Sequence, residues 1–270
     1  MKKRRGWEND MVLINNQLVF RFPKTEQVTE CVKIETRLLH DLQKQTSLNL
    51  KVPQPTLLYC SKQQLVCSCY DLIEGDAGID SREVASEDNA RRLGEFLTQL
   101  HGMPEPVYLP VRHTRLFWEK FYCDIKQLIF PQLSIEERLD IQDTFDHFFA
   151  ISSETTTRTV IHGNLTASNL LVDVKNKQIN GVIDFADAQI GDPAFDFAGI
   201  YWNYGATFTR MALDHCNGSA DRKSLWQRVE KFYGLQPVFR ELLRAVKENE
   251  TVQWEHALER FKKLKSVKST

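Results

Sequence analysis

His162-Gly163-Asn164-Leu165-Thr166-Ala167-Ser168-Asn169, followed downstream by Val182-Ile183-Asp184-Phe185, is the stretch that decides the fold. Short β-prone runs surround it, at Arg158–Ile161, Leu170–Asp173 and Gln178–Phe185, so both polar clusters fall at strand ends on one edge. Asn169 offers an amide oxygen and Asp184 a hard carboxylate, the ligand types that Mg²⁺ takes. Each fragment alone is common by chance. Their order, with a strand between them, makes the combination specific.

Kinases place a loop H-x-D-x-x-x-x-N before a strand ending in D-F-G, and the loop Asn and the second Asp hold Mg²⁺ against the phosphate oxygens. The interval from Asn164 to Asn169 matches that loop. HGNLTASNLLVD and GVIDFADAQIGDPAFDF resemble, more narrowly, the aminoglycoside phosphotransferase family, in which H-x-D-x-x-x-x-N-x-L precedes I-D-F-x-D and G-D-P-x-x-D. GWEND and VFRFPK resemble the same family's nucleotide flap and third strand, and the similarity runs over residues 6–200. The resemblance implies an α+β, bilobal protein-kinase-like fold. It also implies ATP or GTP as co-substrate, Mg²⁺, and a small-molecule acceptor with a free hydroxyl.

Outward from the motif, the first third of the chain alternates strand and helix signals. Met11–Ile14 and Gln17–Phe22 flank Asn15-Asn16, a pair suited to a hairpin turn. Glu26–Lys44 reads as a helix, and Thr56–Cys60 and Leu65–Asp71 as strands. From Ser86 the pattern turns helical, with Ser86 as an N-cap and Ser134 with Glu137 as a capping box. Leu116, Phe117, Phe121, Ile125 and Leu128 form an apolar stripe that reads as core. The expected division is a nucleotide-binding lobe over residues 1–74 and a larger lobe over 75–270.

On the Glu26–Lys44 helix, Val28, Val32, Leu39 and Leu42 make a stripe that also contains Glu35. A carboxylate on such a stripe needs a partner, and Arg21 on the neighbouring strand is the cation placed to supply it. Kinases use this pairing to hold the α- and β-phosphates. The resembled family has Lys at the strand position, so Arg21 is a departure that keeps the charge, with Lys24 a nearby substitute. Tyr70-Asp71-Leu72-Ile73 is the expected hinge, placing Tyr70 and Leu72 at the nucleotide base.

Position 164 is the second departure. The family's loop Asp accepts the acceptor's hydroxyl proton, whereas Asn164 is neutral and can orient a hydroxyl without taking its proton. The implied activity is therefore weakened, and the alternative is a catalytically silent nucleotide-binding module. Asp192 and Asp196 of GDPAFD either cap the following helix or, for Asp192, face the acceptor. Asp187 is open between a second metal contact and a loop hydrogen bond. Trp118, Tyr201, Trp202 and Tyr204 either line an acceptor pocket or pack the core, Trp202 being the acceptor candidate.

The bulk of the chain agrees with this. Its 270 residues, 42% hydrophobic, suffice for a sizeable core, and a net charge of -1 gives no reason to expect nucleic acid as a partner. The six cysteines include no C-x-x-C and read as buried small hydrophobes of a reducing cytoplasm. No apolar run is long enough to span a membrane. Lys2–Arg5 and the basic stretch Lys262–Lys268 read as solvated ends, and a first strand ahead of the flap is expected to be curtailed or missing. From residue 194 onward there are 9 acidic against 13 basic residues, which weighs against a polycationic acceptor.

Overall fold

Asn15 and Asn16 turn the chain with φ of 53° and 54°, a left-handed geometry that asparagine tolerates better than most residues. The turn matches the twist of its strands, and β2 (Asn9–Ile14) pairs antiparallel with β3 (Leu18–Pro23). These features come from a computed structural model that describes residues 2–5, 8–45, 47–79, 84–151, 158–218, 221–248, 250 and 254–266. Gly6 and Trp7 of the flap motif lie outside the described residues.

A strand of four residues precedes the flap, so of the two expected outcomes, curtailed or missing, the second is overturned. β1 (Lys2–Arg5) pairs with β2 from Lys2↔Leu13 to Arg5↔Asp10, so this basic run forms an edge strand. Charge suits that position, because it discourages further strands from adding to the edge. With β4 (Thr56–Tyr59) and β5 (Leu65–Asp71) the sheet has five strands in the order β1-β2-β3-β5-β4. Helix α1 (Glu26–Gln45) packs on it, burying Val32, Leu39 and Leu42.

A mostly helical region follows. Ser86 caps α2 (Glu87–His101) by accepting the Asn89 amide, and Thr114 caps α3 (Arg115–Leu128) through the Phe117 amide. Ser134 and Glu137 form the expected reciprocal box at the start of α4 (Ile135–Ile151). The α3 stripe needs one correction: Leu116 is 74% exposed, and Trp118, outside the expected stripe, is buried alongside Ile125. The Trp118 ring packs edge-on against Phe148 and Phe232, withdrawing more apolar surface than a leucine could.

Between α4 and the C-terminal helices the chain returns to short strands. β6 (Asp76–Ala77), β8 (Leu170–Asp173) and β9 (Gln178–Val182) form one sheet, and β7 (Thr159–Ile161) pairs with β10 (Gln189–Gly191). The Val182 amide donates to the Lys51 carbonyl at 2.8 Å, tying the N-terminal region to the strand that leads to Asp184. Helices α5 (Phe197–Asp214), α6 (Arg222–Arg228), α7 (Pro237–Glu248) and α8 (Trp254–Lys265) complete the fold.

The C-terminal basic stretch is not a free tail over its described part. It lies on α8, where Lys262 pairs with Glu137 at 3.3 Å and Lys265 with Asp140 at 3.0 Å, while residues 267 and 268 lie outside the described residues. Among the described residues no helix is long and apolar enough to cross a membrane.

Candidate active site

Arg21 sits on β3 opposite Met11 and Ser68, and its side chain reaches α1. One guanidinium nitrogen donates to both oxygens of Glu35 at 2.9 Å, with the two side chains 11% and 3% exposed. Burial works against the Arg21 charge, but Glu35 and the other acidic groups nearby hold its pKa above the ordinary arginine value. Glu35 Oε1 also accepts the Phe185 amide at 3.1 Å. The carboxylate on the α1 stripe is thus fully engaged, and through it α1 and β3 hold the turn that carries Asp184. Burial pushes the neighbouring Tyr70 hydroxyl up to about 12, against the opposing pull of Arg21.

Asp184 stands just past the end of β9, exposed, with φ of 65°. Left-handed backbone at a non-glycine residue is strained and tends to occur at functional sites. Asn169 is 6% exposed, and its carbonyl accepts the Ile183 amide at 3.0 Å, which brings the two motif halves side by side. The Asn169 side-chain nitrogen donates to the Asn164 carbonyl at 2.8 Å, which orients the amide and leaves its oxygen chemically able to ligate a cation. Arg21, Tyr70, Asn164, Asn169, Asp184 and Asp187 all line one cleft of about 400 Å³.

A buried aspartate holds the loop from beneath. Asp196, fully buried, accepts the His162 amide and the Gly163 amide, each at 2.9 Å, and meets His101 Nε2 at 3.0 Å. Burial opposes charge on His101, but the Asp196 hydrogen bond, with Cys216 beside it, holds its pKa up at about 9. This role of Asp196 was not legible in the sequence. Both its position in GDPAFD and the His101-Gly102 pair ending α2 were visible, but nothing local linked them. Gly163 has φ of 79°, and a Cβ there would lie 2.2 Å from the Asp187 carbonyl, so only glycine fits.

Asn164 is exposed, and its amide nitrogen donates to Asp187 Oδ2 at 3.3 Å. Asp187 Oδ1 accepts from Arg112 at 3.3 Å. Of the two readings left open for Asp187, the loop hydrogen bond is present.

Glu35 does not line this cleft and meets it only through Arg21, and three further predicted residues are not brought into it. The Leu72 amide donates to the Gln17 carbonyl at 2.6 Å and is not free for a base, and the Leu72 side chain lines a separate cavity with Leu50 and Val52. Asp192 caps the turn at Ala194 and is locked to Arg228 by contacts of 2.6 and 3.0 Å, so its carboxylate is spent on structure. Trp202 lies under the Arg260 guanidinium, 4.2 Å from the ring centre, beside another cavity of about 590 Å³. That cavity adjoins the loop through Asn203, whose side-chain oxygen accepts the Ala167 amide at 2.9 Å. Trp118 and Tyr201 are core residues.

The chain resembles viomycin phosphotransferase of Streptomyces vinaceus, at 29% identity over 40% of this chain and 39% of that one. It spans about half the length, or less, of the curated relatives it matches. Among solved structures, the GDP complex of wild-type aminoglycoside 2'-phosphotransferase-IIIa superposes with a TM-score of 0.76, at 23% identity, over 97% of this chain and 91% of that one. Macrolide 2'-phosphotransferase MphH from Brachybacterium faecium, as apoenzyme, gives a TM-score of 0.66 at 19% identity, over 100% and 92% of the two chains. Both likenesses are of fold. The model of the phosphotransferase enzyme family matches residues 3–232, most of the chain and all of the cleft described above, and the protein belongs to that family.

Proposed function

We propose that this protein transfers the γ-phosphoryl group of ATP or GTP to a hydroxyl of a small molecule. The observation that carries the reading is the linkage Arg21–Glu35–Phe185, which ties a buried cation to the turn bearing Asp184. A phosphate chain entering the cleft meets Arg21 on one side, and Asn169 and Asp184 on the other. Residues 1–74 hold the nucleotide in this reading, and residues 75–270 supply the loop, the cation donors and the acceptor site.

The donor set suits Mg²⁺: one carboxylate, and one amide oxygen whose orientation is set by the Asn164 carbonyl. Among the described residues no group of three His, Cys, Asp or Glu could hold an ion unaided. A cation held by Asn169 and Asp184 would draw its remaining ligands from phosphate oxygens and water, the usual state of nucleotide-bound Mg²⁺. When bound, it neutralises charge on the phosphates. Asn164 orients the acceptor hydroxyl without accepting its proton. General-base help is worth about 10²–10⁴-fold, while positioning and electrostatics dominate phosphoryl transfer. The activity is weakened, not lost.

The names of similar proteins support a hydroxylated antibiotic, such as an aminoglycoside or a macrolide, as the acceptor class. Asn164 also supports a second reading, a silent nucleotide-binding module that acts through a partner. Thermal-shift titration with ATP and with GTP, each with and without Mg²⁺, followed by an acceptor screen, separates these. Mg²⁺-dependent stabilisation and transfer to an acceptor are the expected results. No stabilisation by either nucleotide overturns the proposal, and stabilisation without transfer to any acceptor assigns the protein to the second reading.

A further inference from the structure

Resting on the phosphotransferase reading, we infer that Asp187 takes over the proton-accepting role that Asn164 cannot fill. Glu8, Asp184 and Asp187 are the carboxylates that line the cleft, and Asp187 is the one joined to Asn164, through Asn164 Nδ2 and Asp187 Oδ2 at 3.3 Å. Asp184 is committed to the cation in this reading. The Asp187 side chain is 51% exposed, so an acceptor hydroxyl can reach it.

Its position is also firmly held. Arg112 donates to Oδ1 at 3.3 Å, leaving Oδ2 as the oxygen turned to Asn164. Gln189 Nε2 donates to the Asp187 backbone carbonyl at 3.2 Å, and Gly163 packs directly against that same carbonyl. Gln189 Oε1 in turn accepts the Arg112 and His113 amides at 3.2 and 3.1 Å, so the segment bearing Arg112 and the loop bearing Asn164 are pinned to one residue. An acceptor hydroxyl oriented by Asn164 therefore lies beside an oxygen able to take its proton.

The step balances. As the acceptor oxygen forms its bond to the γ-phosphorus, the bond from that phosphorus to the β,γ-bridging oxygen breaks and its electron pair leaves with the nucleoside diphosphate. The hydroxyl proton passes to Asp187 Oδ2 and then to solvent. Asn164 is a positioning residue, and Asp187 the group that touches the reacting hydroxyl.

The test uses water as the acceptor, so that the natural acceptor need not be known. Mg²⁺-dependent hydrolysis of ATP or GTP, and thermal stabilisation by the same nucleotide, are measured for the wild type, Asp187→Asn, Asp187→Glu, Asn164→Asp and the double variant Asn164→Asp/Asp187→Asn. Asp187→Asn is expected to lower hydrolysis about 10²-fold with nucleotide stabilisation unchanged, and Asp187→Glu to retain more of the rate. In the Asn164→Asp background, where the loop has its own carboxylate, losing Asp187 should change the rate by less than about threefold. Asp187→Asn remaining within about threefold of wild type overturns the inference. So does a double variant as slow as Asp187→Asn, because Asp187 then merely holds the loop. Nucleotide binding without any wild-type hydrolysis overturns this inference alone, whereas no nucleotide binding overturns the phosphotransferase reading as well.

Discussion

Arg21 and Glu35 meet through one guanidinium nitrogen placed 2.9 Å from each carboxylate oxygen, in a setting where Glu35 is 3% exposed. Removing one member of a buried pair strands the other charge, at a cost of about 3–5 kcal/mol. Glu35→Ala is expected to lose stability of that order in urea unfolding. It should also weaken nucleotide binding, because both Arg21 and the Phe185 amide lose their partner. Unchanged nucleotide affinity in a folded variant removes the pair from the binding site.

Asn164→Asp restores a proton acceptor at the loop position itself. Transfer or hydrolysis is expected to rise at least tenfold, the lower part of what a general base supplies (about 10²–10⁴-fold), with little change in nucleotide affinity. Single-turnover kinetics resolves the two. A flat rate removes position 164 from the proton-accepting place.

Gly163→Ala tests the loop's backbone. The added Cβ meets the Asp187 carbonyl at 2.2 Å, and φ of 79° is unfavourable for alanine by about 1–2 kcal/mol before the clash is counted. The variant should melt lower and hydrolyse nucleotide more slowly. Wild-type values for both would show that the loop relaxes freely.

Asp192 is expected to behave as a structural residue. Asp192→Ala leaves the Arg228 guanidinium, 6% exposed, without its carboxylate, and should cost about 3–5 kcal/mol in denaturant unfolding. KM for the acceptor should stay the same in whatever fraction remains folded. A raised acceptor KM with unchanged stability would instead return Asp192 to the acceptor site.

His101 gives the fold a pH dependence. Its folded pKa of about 9 lies above the ordinary histidine value of 6.5, so the charged pair with Asp196 stabilises fully below pH 6.5 and fades as pH rises through about 9. Tm measured from pH 6 to 10 should fall across that window in the wild type, and His101→Gln should lack this component. Because Asp196 also receives the His162 and Gly163 amides, nucleotide hydrolysis should decline over the same range.

The chain's own pattern determined the elements and the local chemistry of the site. The Asn15-Asn16 hairpin, the Ser86 cap, the Ser134–Glu137 box and the meeting of Asn169 and Asp184 at one cleft all rest on turn preferences, capping or motif spacing, which act over a few residues. The Arg21–Glu35 pair was legible because a carboxylate on an apolar stripe demands a cation. Tertiary packing alone decided which side chains from distant segments share a hydrogen bond. It put Asp196 under the loop with His101, moved Asp192 onto Arg228, gave the Leu72 amide to Gln17, and set Asp187 against Asn164. No local periodicity encodes such partners, because each is chosen by the geometry in which helices and strands meet and by the need to satisfy every polar group that this meeting buries.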